Sequence, residues 1–385
     1  MSNSNAVNPP PPPSPSLSSL PDEIVLRCLA LVPRSYYLNI SWVSKHLRAL
    51  VRSPELNVMR STFNKKKSLY VCFQEEEDDE DTFHWFTLCP TECQLVPNPT
   101  PFPCHPCLTV EVGSKIFFIG GYSKPTTDLW ILDTRSGTMT QGTSMSEPRV
   151  VRRAAAGVID GKIYVIGGGE FYEEVHVEVF DPKSETWEVP GVENVPDIPR
   201  YGASVEGKVY MVDYEKTHVY NPRENEGRRL IQMVSKRLKE GGREEMLRER
   251  VAGVCAVEDV LFALFDKSGL MWFDTKRNVW RRLVGREGKE MFIFHADVMA
   301  EYDGKLVVLY MWGESRDTFT KSVRCKLVSL HKAGDRICGT IDWSGVVASV
   351  PDWFDFLHCL AVSDIRPKEF RLRTKEQEVD PTCTE

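Results

Sequence analysis

The sequence predicts two domains in series: a small helical domain, then a large all-β domain of repeated four-stranded sheets. Three observations predict this fold class. Residues 19–55 are dense in helix-forming and helix-capping residues and contain no glycine. Runs of β-branched and aromatic residues then alternate with turn residues as far as Val362. These runs recur about every 47 residues, the spacing typical of propeller blades with four short strands. We therefore expect a three-helix domain followed by a β-propeller of six blades.

The composition is typical of a globular protein without a membrane span. Of the 385 residues, 42% are hydrophobic and 27% are charged, which allows two or three domains with sizeable cores. No apolar run approaches the roughly 20 residues that cross a bilayer, and the N-terminus lacks the pattern of a signal peptide. We therefore expect an intracellular protein, cytoplasmic, nuclear or both, whose scattered cysteines are buried free thiols.

The distribution of charge argues against nucleic acid as a partner. The net charge is −7, and seven consecutive acidic residues form the block Glu75–Asp81. Without this block the chain is neutral overall, so its body has no bias toward polyanions. We expect the block to be a solvated loop, because seven like charges cannot be buried together. The alternative is that the block recruits basic substrates.

Changes in composition set the predicted domain boundaries. Residues 1–18 contain five consecutive prolines and many serines, which favours a disordered tail or, alternatively, a proline-rich ligand for an aromatic groove. Helices are expected from Pro21 to Pro33, from Ser35, and from Ser41 to Arg52. A domain of residues 19–60 is too small to bury its core well, so apolar positions should remain for a partner. The other boundaries are a connector at 61–67, the propeller at 68–365 and a C-terminal tail at 366–385.

The repeat is clearest between Ala154 and Trp187. Two strand-like runs flank the glycine cluster Gly167–Gly169, and Asp181-Pro182 opens a turn that leads to Trp187. The same order recurs before and after this stretch. A glycine pair follows the second strand at Gly120-Gly121, whereas the later repeats carry Asp213-Tyr214, Phe265-Asp266 and Trp312-Gly313 there. An aspartate is followed by tryptophan at equal spacing in Asp181/Trp187 and Asp274/Trp280.

Two segments of the β domain need separate predictions. No inner strand precedes Ser68, but Phe356–Val362 aligns with the inner strand at Ala154–Ile159, so we expect this C-terminal strand to complete blade I and close the ring. Blade VI is expected from Ala296 to about Trp343. The charge-rich segment Arg223–Arg250 is a candidate for a helical insertion between two blades.

Two patterns invite a metal-binding interpretation. Cys89, Cys93, Cys104 and Cys107, with His105 beside them, have spacings that zinc could use. They also lie where the repeat requires a proline-rich crossing between two blades, and we expect no metal and no cofactor. Glu170, Glu174 and Glu178 recur at four-residue steps, as in a metal site of some kelch-like enzymes, but exposed strand carboxylates explain them.

Two resemblances go further than these patterns. The order Leu20-Pro21, Val32-Pro33, Val43-Ser44-Lys45 and then Leu47-Arg48 resembles the F-box. The double glycine followed by spaced aromatic residues resembles the kelch repeat, so the chain looks like a plant F-box and kelch protein. The resemblance implies that these residues contact a Skp-family adaptor: Leu20, Pro21, Ile24, Leu29, Val32, Pro33, Val43, Ser44, Lys45 and Leu47. Leu47 stands where many relatives carry Trp or Phe, and Trp42 is a candidate to supply the missing area.

The function implied by the resemblance is that of a substrate-recognition subunit of an SCF-type cullin-RING ubiquitin ligase. The adaptor would link the chain to a cullin, and the propeller would bind the target protein. No Ser-His-Asp order, phosphate-binding loop or His-Glu metal motif suggests catalysis in this chain, and neither nucleic acid nor membrane is expected as a partner. The alternatives are a kelch scaffold whose helical leader is only a cap on the propeller, or a metal-dependent kelch enzyme.

Candidate substrate-binding residues lie just before the inner strands and on the turns. Arg153, Arg200 and Arg250 precede three inner strands, so they could ring one mouth of the central channel and bind a carboxylate or phosphate. Their alternative role is structural, through bonds to neighbouring carbonyls and acids. The aromatic candidates on the same face are Tyr122, Phe171, Tyr172, Tyr201, Tyr214 and Trp312.

Overall fold

The computed structural model confirms a short helical domain followed by a six-bladed β-propeller. It describes residues 19–32, 37–63, 67–76, 81–89, 94–97, 108–121, 125–134, 138–150, 154–169, 175–193, 201–239, 242–285, 287–291, 293, 295–315 and 319–362. The two predicted tails, 1–18 and 366–385, lie outside these residues. None of the helices in the described residues is long and apolar enough to cross a membrane.

Four helices form the described N-terminal domain, one more than predicted: α1 (Asp22–Leu31), α2 (Tyr37–Val43), α3 (Lys45–Val51) and α4 (Pro54–Phe63). The helix expected from Ser41 to Arg52 is interrupted at Ser44, which has the extended ψ of 157°. Its hydroxyl accepts a hydrogen bond from the Leu47 N–H at 3.0 Å. Ser44 therefore caps α3 and ends α2, a competition with the helix that serine side chains favour.

Helix α4 occupies part of the predicted connector and closes the helical core. The Arg60 guanidinium on α4 is buried and donates to the Val32 carbonyl and to the Tyr37 hydroxyl, the latter at 2.8 Å. Its partners lie after α1 and at the start of α2, so one side chain joins three elements. Buried apolar residues fill the space between the helices: Val25, Leu26, Leu29, Ala30, Leu50 and Leu56.

Blades I to III are four-stranded antiparallel sheets. Blade I contains β1 (Ser68–Glu76), β2 (Asp81–Cys89), β3 (Gln94–Pro97) and the last strand of the chain. Blade II contains β4 (Leu108–Val112), β5 (Lys115–Ile119), β6 (Leu129–Asp133) and β7 (Thr138–Gln141). Blade III contains β8 (Ala154–Ile159), β9 (Lys162–Gly167), β10 (Val175–Asp181) and β11 (Thr186–Glu193).

Blades IV to VI repeat this plan with additions. Blade IV contains β12 (Gly202–Val205), β13 (Lys208–Val212), β14 (Lys216–Tyr220) and β15 (Leu230–Val234). Blade V contains β16 (Lys236–Leu238), β17 (Glu244–Met246), β18 (Val251–Val257), β19 (Val260–Phe265), β20 (Gly269–Asp274) and β21 (Val279–Arg282). Blade VI contains β22 (Val298–Tyr302), β23 (Lys305–Ser315), β24 (Thr320–Ala333) and β25 (Arg336–Pro351), and extends beyond its predicted end near Trp343.

The last strand closes the ring as the sequence predicts. Strand β26 (Phe354–Val362) pairs antiparallel with β1, from Ser68 opposite Val362 to Glu75 opposite Phe354. The inner position of blade I is therefore filled from the far end of the chain, and β26 pairs with the edge of β1 that would otherwise face the channel.

The predicted helical insertion between Arg223 and Arg250 is wrong. Strands β16 and β17 form a hairpin there, and Arg237 pairs in parallel with Trp280 on the outer strand of blade V. The alternating charges pair across the hairpin, with Lys236 Nζ 3.1 Å from Glu244 and Arg237 Nη2 3.0 Å from Glu245. A charge pattern that suits the face of a helix thus serves equally well between two strands.

The aspartate and tryptophan of the repeat hold the turns and the spaces between blades. The Asp181 carboxylate accepts the Lys183 N–H at 2.9 Å, and Asp274 accepts the Lys276 N–H at 3.2 Å. Trp280 is fully buried and packs edge to face on Phe265, with ring centroids 5.1 Å apart. Both predicted turns are confirmed.

The glycine pairs of blades II and III lie close to the backbone of the connection between these two blades. Gly168 has a φ of 82°, and a Cβ there would lie 2.7 Å from the Ala154 Cβ and 3.0 Å from the Val150 carbonyl. Only glycine fits both conditions without rearrangement. Blades IV and V carry other residues at this point, so their turns take a different path.

Six inner strands surround a central channel: β4, β8, β12, β18, β22 and β26. The turns between the second and third strands of the blades lie at the end where these inner strands begin. We call this end the upper mouth, and the end where the inner strands finish the lower mouth.

Candidate protein-interaction sites

The helical domain leaves a set of apolar side chains exposed. Trp42 and Val43, at the end of α2, are 77% and 73% exposed, and Leu31 at the end of α1 is 72% exposed. Leu20 and Ile24 near the start of α1 are also exposed. Exposing this much apolar surface to water is unfavourable for a small domain. Exposed apolar side chains of this kind are typical of a surface that a partner covers.

Helical periodicity explains which residues of α1 are free. Ile24 and Leu31 are seven residues apart and share one face, whereas Val25, Leu26 and Leu29 share the opposite, buried face. Leu29, a predicted adaptor contact, is only 3% exposed and belongs to the core of the domain. Its placement shows a structural role, because its side chain is already covered by the other helices.

The other predicted adaptor contacts divide between exposed and half-buried positions. Pro21, Ser44 and Lys45 are exposed, and Pro33 lies outside the described residues. Val32 and Leu47 are half-buried, and Leu47 packs against the helical core. Leu47 therefore contributes little free area, whereas Trp42, which the sequence marked only as a candidate substitute, is the most exposed large apolar side chain among the described residues.

The upper mouth of the propeller opens into a cavity of about 950 Å³. Three predicted binding residues, Tyr201, Arg250 and Trp312, line it together. The wall also contains side chains that were not among the predicted binding residues, including Asp266, Asp297, Met311, Lys321, Asp355 and Phe356. A signal was present for two of them, because Asp297 and Asp355 lie at the start of an inner strand, as the predicted arginines do.

Asp297 is held in place by the strand beside it. The Met311 N–H donates to Asp297 Oδ2 at 2.7 Å, and the Asp297 N–H donates to the Leu309 carbonyl at 2.8 Å. The Asp297 side chain is exposed at the upper mouth, but neighbouring protein atoms exclude part of the solvent around its carboxyl. This desolvation raises the pKa of Asp297, the Met311 N–H lowers it, and the nearby Asp355 raises it further.

Charges of both signs meet at this mouth. Lys321 Nζ lies 3.7 Å from Asp355 Oδ1, an ion pair whose carboxylate is 72% exposed and therefore weak. Arg250 is exposed, and among the residues that the structure describes its guanidinium has no ion pair. The Arg250 carbonyl accepts the Asp266 N–H at 3.1 Å, so the backbone of Arg250 has a structural role at this mouth.

Aromatic rings complete the wall of the mouth. Trp312 is half exposed and packs edge to face on His295 with centroids 5.0 Å apart, and Phe356 packs on Phe73 at 4.7 Å. Tyr214 is exposed on the turn between β13 and β14 at the same end of the propeller. The other predicted binding residues lie outside the described residues: Arg153, Arg200, Tyr122, Phe171 and Tyr172.

A second charged group, which was not predicted from the sequence, lies deeper in the channel near the lower mouth. The channel holds a cavity of about 430 Å³, lined by Glu111 and Glu301 among others. Lys67 Nζ forms an ion pair with Glu301, and the Lys67 N–H reaches Asp303 Oδ1 at 3.4 Å. The narrow channel removes bulk water from around Glu111, which raises the pKa of its carboxyl to about 7.

The described cysteines of the channel have no reactive character. Burial raises the pKa of the Cys255 and Cys359 thiols, so both are protonated at neutral pH. The cysteines whose side chains the structure describes are free thiols, and most are buried, but Cys28 is exposed where a buried thiol was predicted.

Glu178 is not the exposed strand carboxylate that the sequence suggested. It is fully buried, and Arg149 Nη2 lies 2.8 Å from its Oε1. The Ser146 and Glu147 N–H groups donate to the same carboxylate at 3.0 and 3.2 Å. Glu178 therefore joins blades II and III by a buried ion pair. Glu170 and Glu174 lie outside the described residues.

No group of three metal-ligating side chains occurs among the described residues. The residues whose spacing zinc could use lie outside the described part of the chain: Cys93, Cys104, His105, Cys107 and the side chain of Cys89.

Comparison with known proteins assigns both domains to families. The F-box domain matches residues 17–59, and the FKB95 Kelch-repeats domain matches residues 85–348, more than half of the chain. The chain belongs to the F-box/kelch-repeat proteins. A putative F-box/kelch-repeat protein of Arabidopsis thaliana is 42% identical over 91% of this chain and 98% of its own length. Two further F-box/kelch-repeat proteins of Arabidopsis thaliana are each 35% identical, over 90% and 92% of this chain and 93% and 97% of their own lengths.

The family assignment places the two candidate sites in different domains. The exposed apolar residues from Leu20 to Val43 lie within the F-box, and the upper mouth belongs to the kelch propeller. The kelch match ends at residue 348, before β26, so the strand that closes the ring lies outside the matched range. An F-box/kelch-repeat protein is typically an adaptor-type protein rather than an enzyme, and that is the class to which both domains point.

Proposed function

We propose that this F-box/kelch-repeat protein is the substrate-recognition subunit of an SCF-type cullin-RING ubiquitin ligase. Its F-box binds a Skp-family adaptor, which connects the chain to a cullin. Its propeller binds the target protein at the upper mouth. The chain itself contributes no chemistry: it raises the effective concentration of a target lysine near the ubiquitin donor that another subunit carries.

The observation that supports this proposal most strongly is the exposed apolar face of the F-box. Leu31, Trp42 and Val43 are each more than 70% exposed, although the same domain has a complete core of its own. The buried apolar residues already form the core that stabilises the domain. The exposed apolar residues are therefore available to contact a partner. Burying an aromatic anchor with neighbouring aliphatic side chains is the usual basis of a stable protein interface.

The experiment is a binding measurement between the full chain and a purified Skp-family adaptor. The double variant Leu20→Ala and Pro21→Ala removes exposed contact area at the start of α1, and we expect it to abolish measurable binding by calorimetry. Neither side chain belongs to the helical core, so the thermal melt of the variant should match that of the parent chain.

Val58→Ala is the matched control, because Val58 is exposed on α4 and was not predicted to contact the adaptor. It should bind as the parent chain does. Full retention of binding by the Leu20→Ala and Pro21→Ala variant would contradict the proposed role of this face.

A further inference from the structure

The charges of the upper mouth are unevenly distributed around its circumference. Blades VI and I contribute Asp297 and Asp355, with Lys321 as the cation of this side and His295 near it. Blade V contributes Arg250 and Asp266, which do not form an ion pair with each other. The side formed by blades VI and I therefore carries excess negative charge at the point where Trp312 and Phe356 form the wall.

We propose that this side of the mouth, the acidic corner formed by Asp297, Trp312, Asp355 and Phe356, binds a lysine or arginine side chain of the target protein. The inference rests on the proposed function, since it specifies the chemistry of the segment that the propeller selects. The occupant is an extended, basic segment of a protein.

The acidic corner has both parts that recognise a basic side chain. Trp312 is half exposed and held by His295, so it presents an aromatic face that a cation can cover. Asp297 is a carboxylate already partly removed from water and fixed by the Met311 N–H. An ion pair formed there is stronger than one on an open surface, because less of the bulk solvent screens it.

A larger acidic element points to the same occupant. Strands β1 and β2 of blade I end at Glu76 and Asp81 at the upper mouth, and the seven acidic residues Glu75–Asp81 span their junction. Glu75 opposes Phe354 in the sheet, one residue from Asp355. Because the described strand ends that flank this acidic run lie at the upper mouth, we expect the run to attract a segment of the opposite sign and to speed its association.

Arg250 limits how far the basic segment extends. It lies on the blade V side of the same mouth, so a second basic residue placed there would be repelled. The recognised segment is therefore basic where it meets blades VI and I, and neutral or acidic where it meets blade V. Arg250 should therefore lower the affinity for a basic ligand, whereas Asp297 should raise it.

The test uses the full chain and three fluorescent peptides of equal length, with the repeats Lys-Ala-Gly, Glu-Ala-Gly and Ser-Ala-Gly. Fluorescence anisotropy should show binding of the lysine peptide only. Asp297→Asn, Asp355→Asn and Trp312→Ala should each weaken it by about fivefold or more, the size expected for one ion pair or one cation–π contact in a partly desolvated site. Arg250→Gln should tighten it.

Asp259→Asn is the matched control, since it removes one exposed carboxylate from the turn between β18 and β19 at the lower mouth. Binding unchanged in this control but reduced in Trp312→Ala, which leaves the net charge unaltered, would support the corner as the site. Equal losses in the control and the corner variants, or preference for the glutamate peptide, would overturn it.

The outcomes separate this inference from the proposed function. Asp355 is exposed and is not the acceptor of the backbone bond that holds Asp297, so its variant should fold even if Asp297→Asn does not. Adaptor binding by all these variants with no preference for the lysine peptide would overturn the inference alone. Specific lysine-peptide binding by a chain that binds no adaptor would support the inference and contradict the ligase role.

Discussion

Among the single side chains, Trp42 is the strongest candidate for contact with the adaptor. In the F-box, Leu47 packs against the helical core, while Trp42 extends from the end of α2 with 77% of its surface exposed. The sequence alone could not separate these roles, because both residues lie in the same predicted helix. The break at Ser44 turns α3 away from α2 and gives the two side chains different surroundings.

Trp42→Ala should weaken adaptor binding by tenfold or more, because an aromatic anchor at an interface typically contributes about 2 kcal/mol. Its melting temperature should remain that of the parent chain. Leu47→Ala should show the opposite pattern, with a lower melting temperature and less change in affinity. Calorimetry and thermal denaturation of the two variants measure this contrast, and equal effects on affinity would contradict it.

The Glu111 carboxyl in the channel should make the free energy of unfolding depend on pH. The folded protein raises the pKa of Glu111 from 4.5 to about 7, so the folded state holds this proton more tightly than the unfolded chain does. Glu111 therefore favours folding below about pH 4.5, and this contribution is lost as the pH rises through 7.

Glu111→Gln should consequently be more stable than the parent chain at pH 8, and the difference should shrink as the pH falls below 5. Denaturant unfolding of both proteins across this range measures the effect. Lys67→Met is a useful second variant, because Lys67 lowers the pKa of Glu111; its loss should move the pH dependence upward. A constant difference at all pH values would contradict the prediction.

At the scale of strands and blades, the regular elements of the repeat could be predicted from the sequence. The elements added to the repeat and the contacts between distant residues could not. The blade count, the turn aspartates and the closing strand follow from a pattern of period two with regular turns. The β16–β17 hairpin was missed because alternating charges satisfy a helix face and a strand pair alike. The burial of Glu178 was missed because its partner Arg149 is 29 residues away, in the connection between blades II and III.

Strand β26 yields the prediction that belongs to this scale. Removing residues 351–385 should abolish the cooperative unfolding of the propeller, because β1 would lose its partner from Ser68 to Glu75 and blade I its inner strand. A chain ending at residue 365 keeps β26 and should melt as the full chain does. Circular dichroism during heating compares the two, and a cooperative melt of the shorter chain would show that the ring does not need this strand.

At the scale of the whole molecule, two candidate binding surfaces lie in two domains of one chain. The F-box presents apolar side chains, typical of a stable interface, whereas the upper mouth presents mixed charges with aromatic rings, typical of selective recognition. The chain enters the propeller at the lower mouth, where Lys67 pairs with Glu301, and the candidate target site opens at the opposite mouth. The segment that joins the F-box to the propeller therefore does not obstruct the upper mouth at its point of attachment.

The central claim is that this chain is held by an adaptor through its F-box, and one measurement tests it most directly. Light scattering during size-exclusion chromatography gives the molar mass of the full chain mixed with a purified Skp-family adaptor. We expect a complex with one copy of each protein, which is absent for the Leu20→Ala and Pro21→Ala variant although its propeller melts normally. Separate elution of a well-folded parent chain and the adaptor would contradict it.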